Sequence, residues 1–385
     1  MKLLIITHKE VTPDLEINNS YKTSGGFPFQ INSISNLFSN TSLICLLRTR
    51  EMGSQLAPIV GKNFLINTYP EPLFSGHFRH IAFLFWLPIH FKSIFKQIKK
   101  SDAVHSLIPG DIGLLGLLIA LWVKKPIFVR HCGTWGNMTT LADRFIYYLL
   151  PKIAKGKIIV MATGGGEKLP ETKNKNINWI FSTSITHNEW NKIKPAKPWI
   201  KNQKLRLISV SRLTKGKNIK SAIEAIFIIK KSFSNIHLDI IGDGEEKYNI
   251  RKYILELGLN DNVTLHGNIS HLSILERLSN SHIFVFPTNI KEGFPKVLIE
   301  AMSCGLPSIA TRVSVIPYLI ENKCGIILEK TNAISVSQAI LLLISNINQM
   351  SKMGKKAREI SKEYTLEKWS NLISNRLEKS WGPLK

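Results

Sequence analysis

The chain predicts an α/β protein built from two doubly wound parallel sheets, and three observations carry that expectation. Its 385 residues are too many for one ordinary core and suit two domains of about 190 each. Short apolar runs alternate with polar helical stretches, the rhythm of parallel strands joined by crossover helices. That rhythm stops once, where residues 170–204 turn rich in Asn, Lys, Pro and Trp, and then restarts.

In chain order, strands are expected at residues 3–7, 42–47, 103–107, 126–130 and 157–161, with a helical run at 29–38. The hinge falls in the polar stretch. Strands then return at 205–210, 236–241, 263–266, 283–286, 308–311 and 325–328, with a helix opening near Asn218. The tail 365–381 reads as a helix with Leu366, Trp369, Leu372, Ile373 and Leu377 along one side. The expected domains are therefore 1–180, a linker 181–204, a second domain 205–364, and a terminal helix 365–385. In a doubly wound sheet a ligand cleft is expected at the carboxyl ends of the strands.

Composition narrows the function. With 44% hydrophobic and 20% charged residues the chain is globular, which excludes a disordered protein. The longest apolar runs, 81–89 and 112–123, fall short of the 18 or so residues that span a bilayer. The first seven residues read as a strand, not a secretory signal. Cys45, Cys132, Cys304 and Cys324 show no metal or redox spacing, as expected of reduced thiols in a cytoplasmic protein.

The formal net charge of +24 is the oddity. It is spread evenly, with 23 Lys and Arg against 11 Asp and Glu in residues 1–195 and 28 against 16 in the rest. No motif for reading nucleic acid accompanies it, so no nucleic-acid partner is expected. An anionic membrane surface fits better. Residues 78–100 mix Phe83, Phe85, Trp86, Phe91 and Phe95 with Arg79, Lys92, Lys96, Lys99 and Lys100, the blend of a segment lying on an acidic lipid face. A buried helix with a solvated basic end, or a compositional bias, would account for the same residues.

The densest signal lies at 284–307. A strand ends at Pro287, a loop carries Glu292, Gly293 and Phe294, and Pro295 opens a helix bearing Glu300 that Gly305 and Pro307 stop after about three turns. Free amides at that helix start suit a phosphate. Glu292 and Glu300, eight residues apart on a loop and a helix, are expected to touch different parts of one ligand. A second signal is Arg212 at a strand end, then a Gly216 turn, then Lys217 at a helix start, with Lys215 between them. Two fixed cations there suit a diphosphate whose charge grows as a group departs.

These segments resemble the E-x7-E and R-L-x-x-x-K signatures of retaining glycosyltransferases of family 4, the group 1 glycosyl transferases. The resemblance implies the GT-B fold, two Rossmann-like domains facing a central cleft, and a nucleoside diphosphate sugar as donor. It implies that Glu292 lies near the transferred sugar and Glu300 holds the ribose. Gly293, Phe294 and Pro295 would hold the sugar or diphosphate, and Arg212 and Lys217 the leaving nucleotide. Gly242 and Gly244, in a tight turn after a strand, would run past the base, with 269–272 and Pro287 nearby. In the first domain Gly25 and Gly26, read as following strand one, match the family's Gly-Gly loop. His131 matches its strand-terminal histidine, with His105 the competing position.

One departure stands out. Residues 179–185 lack the glycine that the family often has after the last strand of the first domain, although Gly164, Gly165 and Gly166 lie close by. No Asp-x-Asp occurs in the chain, so neither a metal nor another cofactor is expected. The expected acceptor is a glycan or lipid-linked hydroxyl in surface polysaccharide or lipopolysaccharide assembly, at the inner face of the cell membrane. The alternatives are a non-catalytic partner subunit of a glycosyltransferase complex and another GT-B enzyme such as a nucleotide-sugar epimerase or sugar phosphorylase. A phosphorylase would be much longer and carry lysine-bound pyridoxal.

Overall fold

The computed structural model describes residues 1–14, 20–48, 56–72, 78–166, 169–170, 175–320 and 323–385. Residues 171–174 of the polar stretch, and Glu167 and Lys168 after the Gly164 run, lie outside the described residues. The chain divides into two compact units. One comprises Met1–Gly164, Leu169–Ser184 and Leu366–Lys385; the other comprises Gly165–Lys168 and Ile185–Thr365.

In chain order the first unit contains β1 (Lys2–Pro13), β2 (Tyr21–Ser24), α1 (Phe27–Ser35), β3 (Asn40–Leu47), β4 (Leu56–Pro58), β5 (Phe64–Pro70) and α2 (Phe78–Lys100). It continues with β6 (Ala103–Ile108), α3 (Asp111–Trp122), β7 (Ile127–His131), α4 (Leu141–Ile153), β8 (Ile158–Ala162) and β9 (Ile177–Trp179). The parallel strands run β5-β3-β1-β6-β7-β8-β9. Leu3, Leu4, Ile5 and Ile6 are all buried, which is why β1 reads as a continuous apolar run without alternation. β2 and β4 form an antiparallel annex joined to the far end of β1 through Thr12 and Pro13.

The final helix, Leu366–Trp381, belongs to this unit. Leu366, Trp369, Ile373 and Leu377 are buried, at spacings of three and four. Leu372, expected on the same side, is 41% exposed, because it falls off that stripe. The Arg130 guanidinium lies 5.1 Å from the Trp369 ring centre and donates to Gln30 Oε1 at 3.1 Å; Gln30 Nε2 donates to Ser182 Oγ at 2.8 Å. The N-terminal ammonium donates to the Leu384 carbonyl at 2.9 Å, so the two chain ends meet.

The second unit has the strands β10 (Leu205–Val210), β11 (Ile236–Ile241), β12 (Val263–Gly267), β13 (Ile283–Phe286), β14 (Ser308–Thr311) and β15 (Gly325–Leu328). They run β12-β11-β10-β13-β14-β15, all parallel. The chain winds outward from β10 to β12, then returns to place β13 on the other side of β10, with Leu207 opposite Ile283. That reversal is the topological switch point, where a crevice opens at the carboxyl ends. Of the expected linker, residues 181–184 cluster with the first unit and 185–204 with the second. There Thr186 and Glu189 form a capping box on the helix His187–Lys192. No single helix among the described residues is long and apolar enough to cross a membrane.

Among the described residues of the first unit Trp369 is the largest fully buried side chain, so its removal would leave a large cavity. Trp369→Ala should therefore cost about 3–5 kcal/mol in a denaturant melt of that unit. A loss below about 1 kcal/mol would contradict this packing.

Candidate functional site

Both loops at the switch point carry the motif residues. After β10 the chain presents Arg212, exposed, and then a 3-10 turn, Lys215–Lys217, that buries Lys217. Asn218 follows at φ 52, a left-handed conformation that asparagine tolerates, and opens the helix Ile219–Lys230. After β13 the loop returns toward that turn. The Asn289 amide donates to the Gly216 carbonyl at 2.8 Å, and a Cβ at Gly216 would stand 2.5 Å from Ile290 Cγ1. Glycine is what lets the two loops approach.

The consequence is an ion pair between the predicted residues. Lys217 Nζ contacts Glu292 Oε1, and the same ammonium lies 5.3 Å from the Phe286 ring centre. Burial first, and the Arg212 charge second, push the Lys217 ammonium down to about 8. The carboxylate against it acts in the opposite sense. Neighbouring hydroxyls secure the Glu292 loop: Ser314 Oγ donates to the Glu292 carbonyl, and Thr311 Oγ1 to that of Thr288.

Glu300 is buried on the helix Lys296–Ser303, where Oε1 accepts from His271 Nε2 at 3.2 Å. That bond raises the His271 pKa against the opposing effect of burial. His271 falls inside the stretch 269–272 expected near the base but was not singled out. No spacing in the sequence links it to a glutamate 29 residues away on another element.

Pro295 is the cap of that helix and not its first residue, so Lys296 supplies the first helical amide. The helix is also shorter than the three turns expected. Its stop is as expected: Gly305, at φ 73, and Leu306 donate back to Met302 and Ala301 at 2.9 and 3.1 Å, a Schellman closure. Gly293 and Phe294 lead into the cap, and the Phe294 ring rests 6.0 Å from that of Tyr364.

Gly242 and Gly244 lie under the Arg212 loop, with φ of 134 and 158. A Cβ at Gly242 would meet the Ser211 carbonyl oxygen at 1.8 Å, and one at Gly244 the Leu213 oxygen at 2.4 Å. Their demonstrable task is to let the turn after β11 pack against the turn after β10, where Leu213 donates to the Asp243 carbonyl at 2.9 Å.

In the first unit, His131 ends β7. Its Nδ1 donates to the Gly133 carbonyl at 3.2 Å and its ring meets Trp135 edge-on. Burial lowers its pKa, so the ring is neutral and Nε2 is an acceptor. His105 is fully buried within β6, stacked on Phe128 and bonded to its carbonyl at 3.0 Å, which makes it a core residue. Gly25 and Gly26 do not follow strand one. β1 runs on to Pro13 and β2, antiparallel to its end, comes next in the chain, so the pair joins β2 to α1, with Gly25 at φ 79 and Gly26 as helix cap. A cavity of 730 Å³ in the second unit, lined by Lys192, Lys194, Lys197, Lys204 and Arg206 among others, opens at the opposite, amino ends of β10 and β13. It contains none of the motif residues.

Residues 191–360 match the family model of glycosyl transferases group 1. An uncharacterized glycosyltransferase of Haemophilus influenzae is 29% identical over 189 residues, 48% of this chain and 53% of that protein, so the aligned region spans about half the length of that relative. The capsular polysaccharide biosynthesis glycosyltransferase CapM of Staphylococcus aureus is 27% identical over 318 residues, 76% of this chain and 82% of its own. Among solved structures, Anabaena HepE in complex with UDP and glucose superposes with a TM-score of 0.68 at 14% identity, covering 98% of this chain and 99% of that one. Two Rossmann-like sheets with such neighbours make the fold GT-B, as the sequence predicts.

Gly242→Ala should destabilise the second unit by about 1–3 kcal/mol, because the methyl meets backbone and the φ is unfavourable for alanine. Thermal unfolding checks it; an unchanged melting temperature would show that the loop adapts.

Proposed function

We propose that this chain is a retaining glycosyltransferase that moves a hexose-type sugar from a nucleoside diphosphate donor to a hydroxyl of a glycan or lipid-linked acceptor. The observation that carries this reading is the meeting of Lys217 and Glu292 beside Arg212 at the switch point. A buried ammonium, a guanidinium and a helix start converge there, the groups a departing diphosphate needs. In this reading Arg212 and Lys217 hold the diphosphate, and the amides after Pro295 take part of its charge. Glu300 accepts from the ribose hydroxyls and Glu292 positions the sugar.

The bond from the anomeric carbon to the diphosphate breaks as a bond to the acceptor oxygen forms on the same face. The acceptor proton passes to a diphosphate oxygen. His131, with an accepting Nε2, is the group in the first unit suited to a sugar hydroxyl. The charge is balanced by the protein, so neither metal nor cofactor is part of this scheme. The name of the Staphylococcus aureus relative supports surface polysaccharide assembly as the setting, and work in the cytoplasm at the inner membrane face belongs to this proposal. The UDP and glucose bound by Anabaena HepE support a nucleotide-sugar donor.

Glu300→Ala should raise the donor KM by about tenfold or more, whereas Arg212→Ala should lower kcat by about a hundredfold. Steady-state assays with matched donor separate the two, and full activity in both variants would overturn the assignment. The pH profile gives a second check. Lys217 is charged below its depressed pKa of about 8 and neutral above it, so kcat/KM should fall as pH rises through that value. Lys217→Arg should remove this inflection between about pH 7 and pH 10, since arginine stays protonated. The same inflection in the arginine variant would exclude Lys217 as its source.

A further inference from the structure

Helix α2 is apolar on both sides over its first half. Inward, Trp86, Ile94 and Ile98 are buried, and Trp86 Nε1 donates to the Pro70 carbonyl at 2.8 Å. Phe83, Phe91 and Phe95, named with Trp86 as membrane-facing residues on sequence grounds, also pack against this core. The outward side is different. Ile81, Leu84, Phe85 and Ile89 stand 55–73% exposed, at spacings of three and four that put them on one stripe with exposed Pro88. Continued at the same spacing, that stripe becomes Lys92, Lys96, Lys99 and Lys100, all exposed. No acidic residue occurs anywhere in α2. Beside the basic half, Trp122 ends α3 at 68% exposure, its ring 5.4 Å from that of Phe95.

We infer that this stripe of α2 docks the protein on a bilayer of anionic lipid, the helix lying along the interface. The apolar half enters the boundary between headgroups and acyl chains, the four lysines meet lipid phosphates, and Trp122 sits at headgroup depth. One continuous solvent-facing line that changes from apolar to cationic matches a surface that is apolar inside and negative at its rim. A second copy of this chain is a poor occupant, since each copy carries a formal +24 and the lysines would face their own kind. The surface lies within the first unit and stands apart from the donor reading, because vesicle binding requires no donor.

The test is sedimentation of the full chain with vesicles of equal parts phosphatidylcholine and phosphatidylglycerol, and with phosphatidylcholine alone, at low ionic strength and at about 0.5 M salt. The protein should pellet with the anionic vesicles at low salt only. Lys92→Glu with Lys96→Glu should lower the partition coefficient at least tenfold, each lysine being worth about fivefold near such a surface. Phe85→Glu with Ile89→Glu should abolish pelleting. Both double variants alter exposed positions, so they should melt like the parent and hydrolyse soluble donor at the parental rate. Absence of pelleting at low salt would overturn the inference, as would unchanged pelleting of the Phe85/Ile89 variant. A dimer in sedimentation equilibrium that this variant dissociates, without any vesicle binding, would assign the face to a second copy instead.

Discussion

The second unit depends on one topological fact: β13 lies against β10 although 72 residues separate the ends of β10 and the start of β13. That adjacency brings the Arg212 loop and the Glu292 loop to the same crevice. Everything at the site follows from how closely they then approach. Gly216 removes the side chain that would hold them apart, and the Asn289 to Gly216 bond fixes the spacing. A buried lysine cannot remain charged there without a partner, and Glu292 is that partner. The carboxylate therefore has two relationships with the cation, stabilising it when the crevice is empty and competing with any anion that enters.

Charges of this kind are costly to bury alone, and the unit treats them in pairs. Lys217 has Glu292, and Glu300 has His271. Each pair joins elements that the sheet order has brought together. The two glutamates serve different partners, in keeping with their separation by two turns of chain. The first unit treats its buried cation differently: Arg130 is held by the Gln30 amide and the Trp369 ring, and Gln30 with Ser182 ties β7, α1 and the segment after β9 together. Exposed lysines, by contrast, supply most of the positive charge and answer to solvent or to a surface, not to the core.

Much of this was legible in the sequence because it depends on local pattern. The six strands of the second unit are buried parallel strands, and such strands announce themselves as short apolar runs. The Gly305 stop and the Asn218 helix start depend on backbone conformations that few residues adopt, so they too could be read. What depends on tertiary pairing could not. The annex β2 and β4 consists of three- and four-residue strands with little apolar signal, and it displaced Gly25 and Gly26 from the place expected for them. Leu372 matched the helical side only loosely, and the buried stripe of Leu366, Trp369, Ile373 and Leu377 passes beside it. The aromatic residues of α2 read together as a segment for a lipid face, yet the core takes Trp86, Phe83, Phe91 and Phe95 while Phe85 and aliphatic residues are left outside. His271 is invisible without knowing that the start of its helix faces Glu300.

If a diphosphate displaces Glu292 from Lys217, the two residues must be coupled in nucleoside diphosphate binding, and a double-mutant cycle measures that coupling. Calorimetric titration would compare the parent, Glu292→Ala, Lys217→Ala and the double variant. Glu292→Ala should tighten binding when Lys217 is present and leave it unchanged when Lys217 is absent, a coupling of about 0.5–3 kcal/mol. Effects that simply add, with no coupling between the two positions, would contradict it.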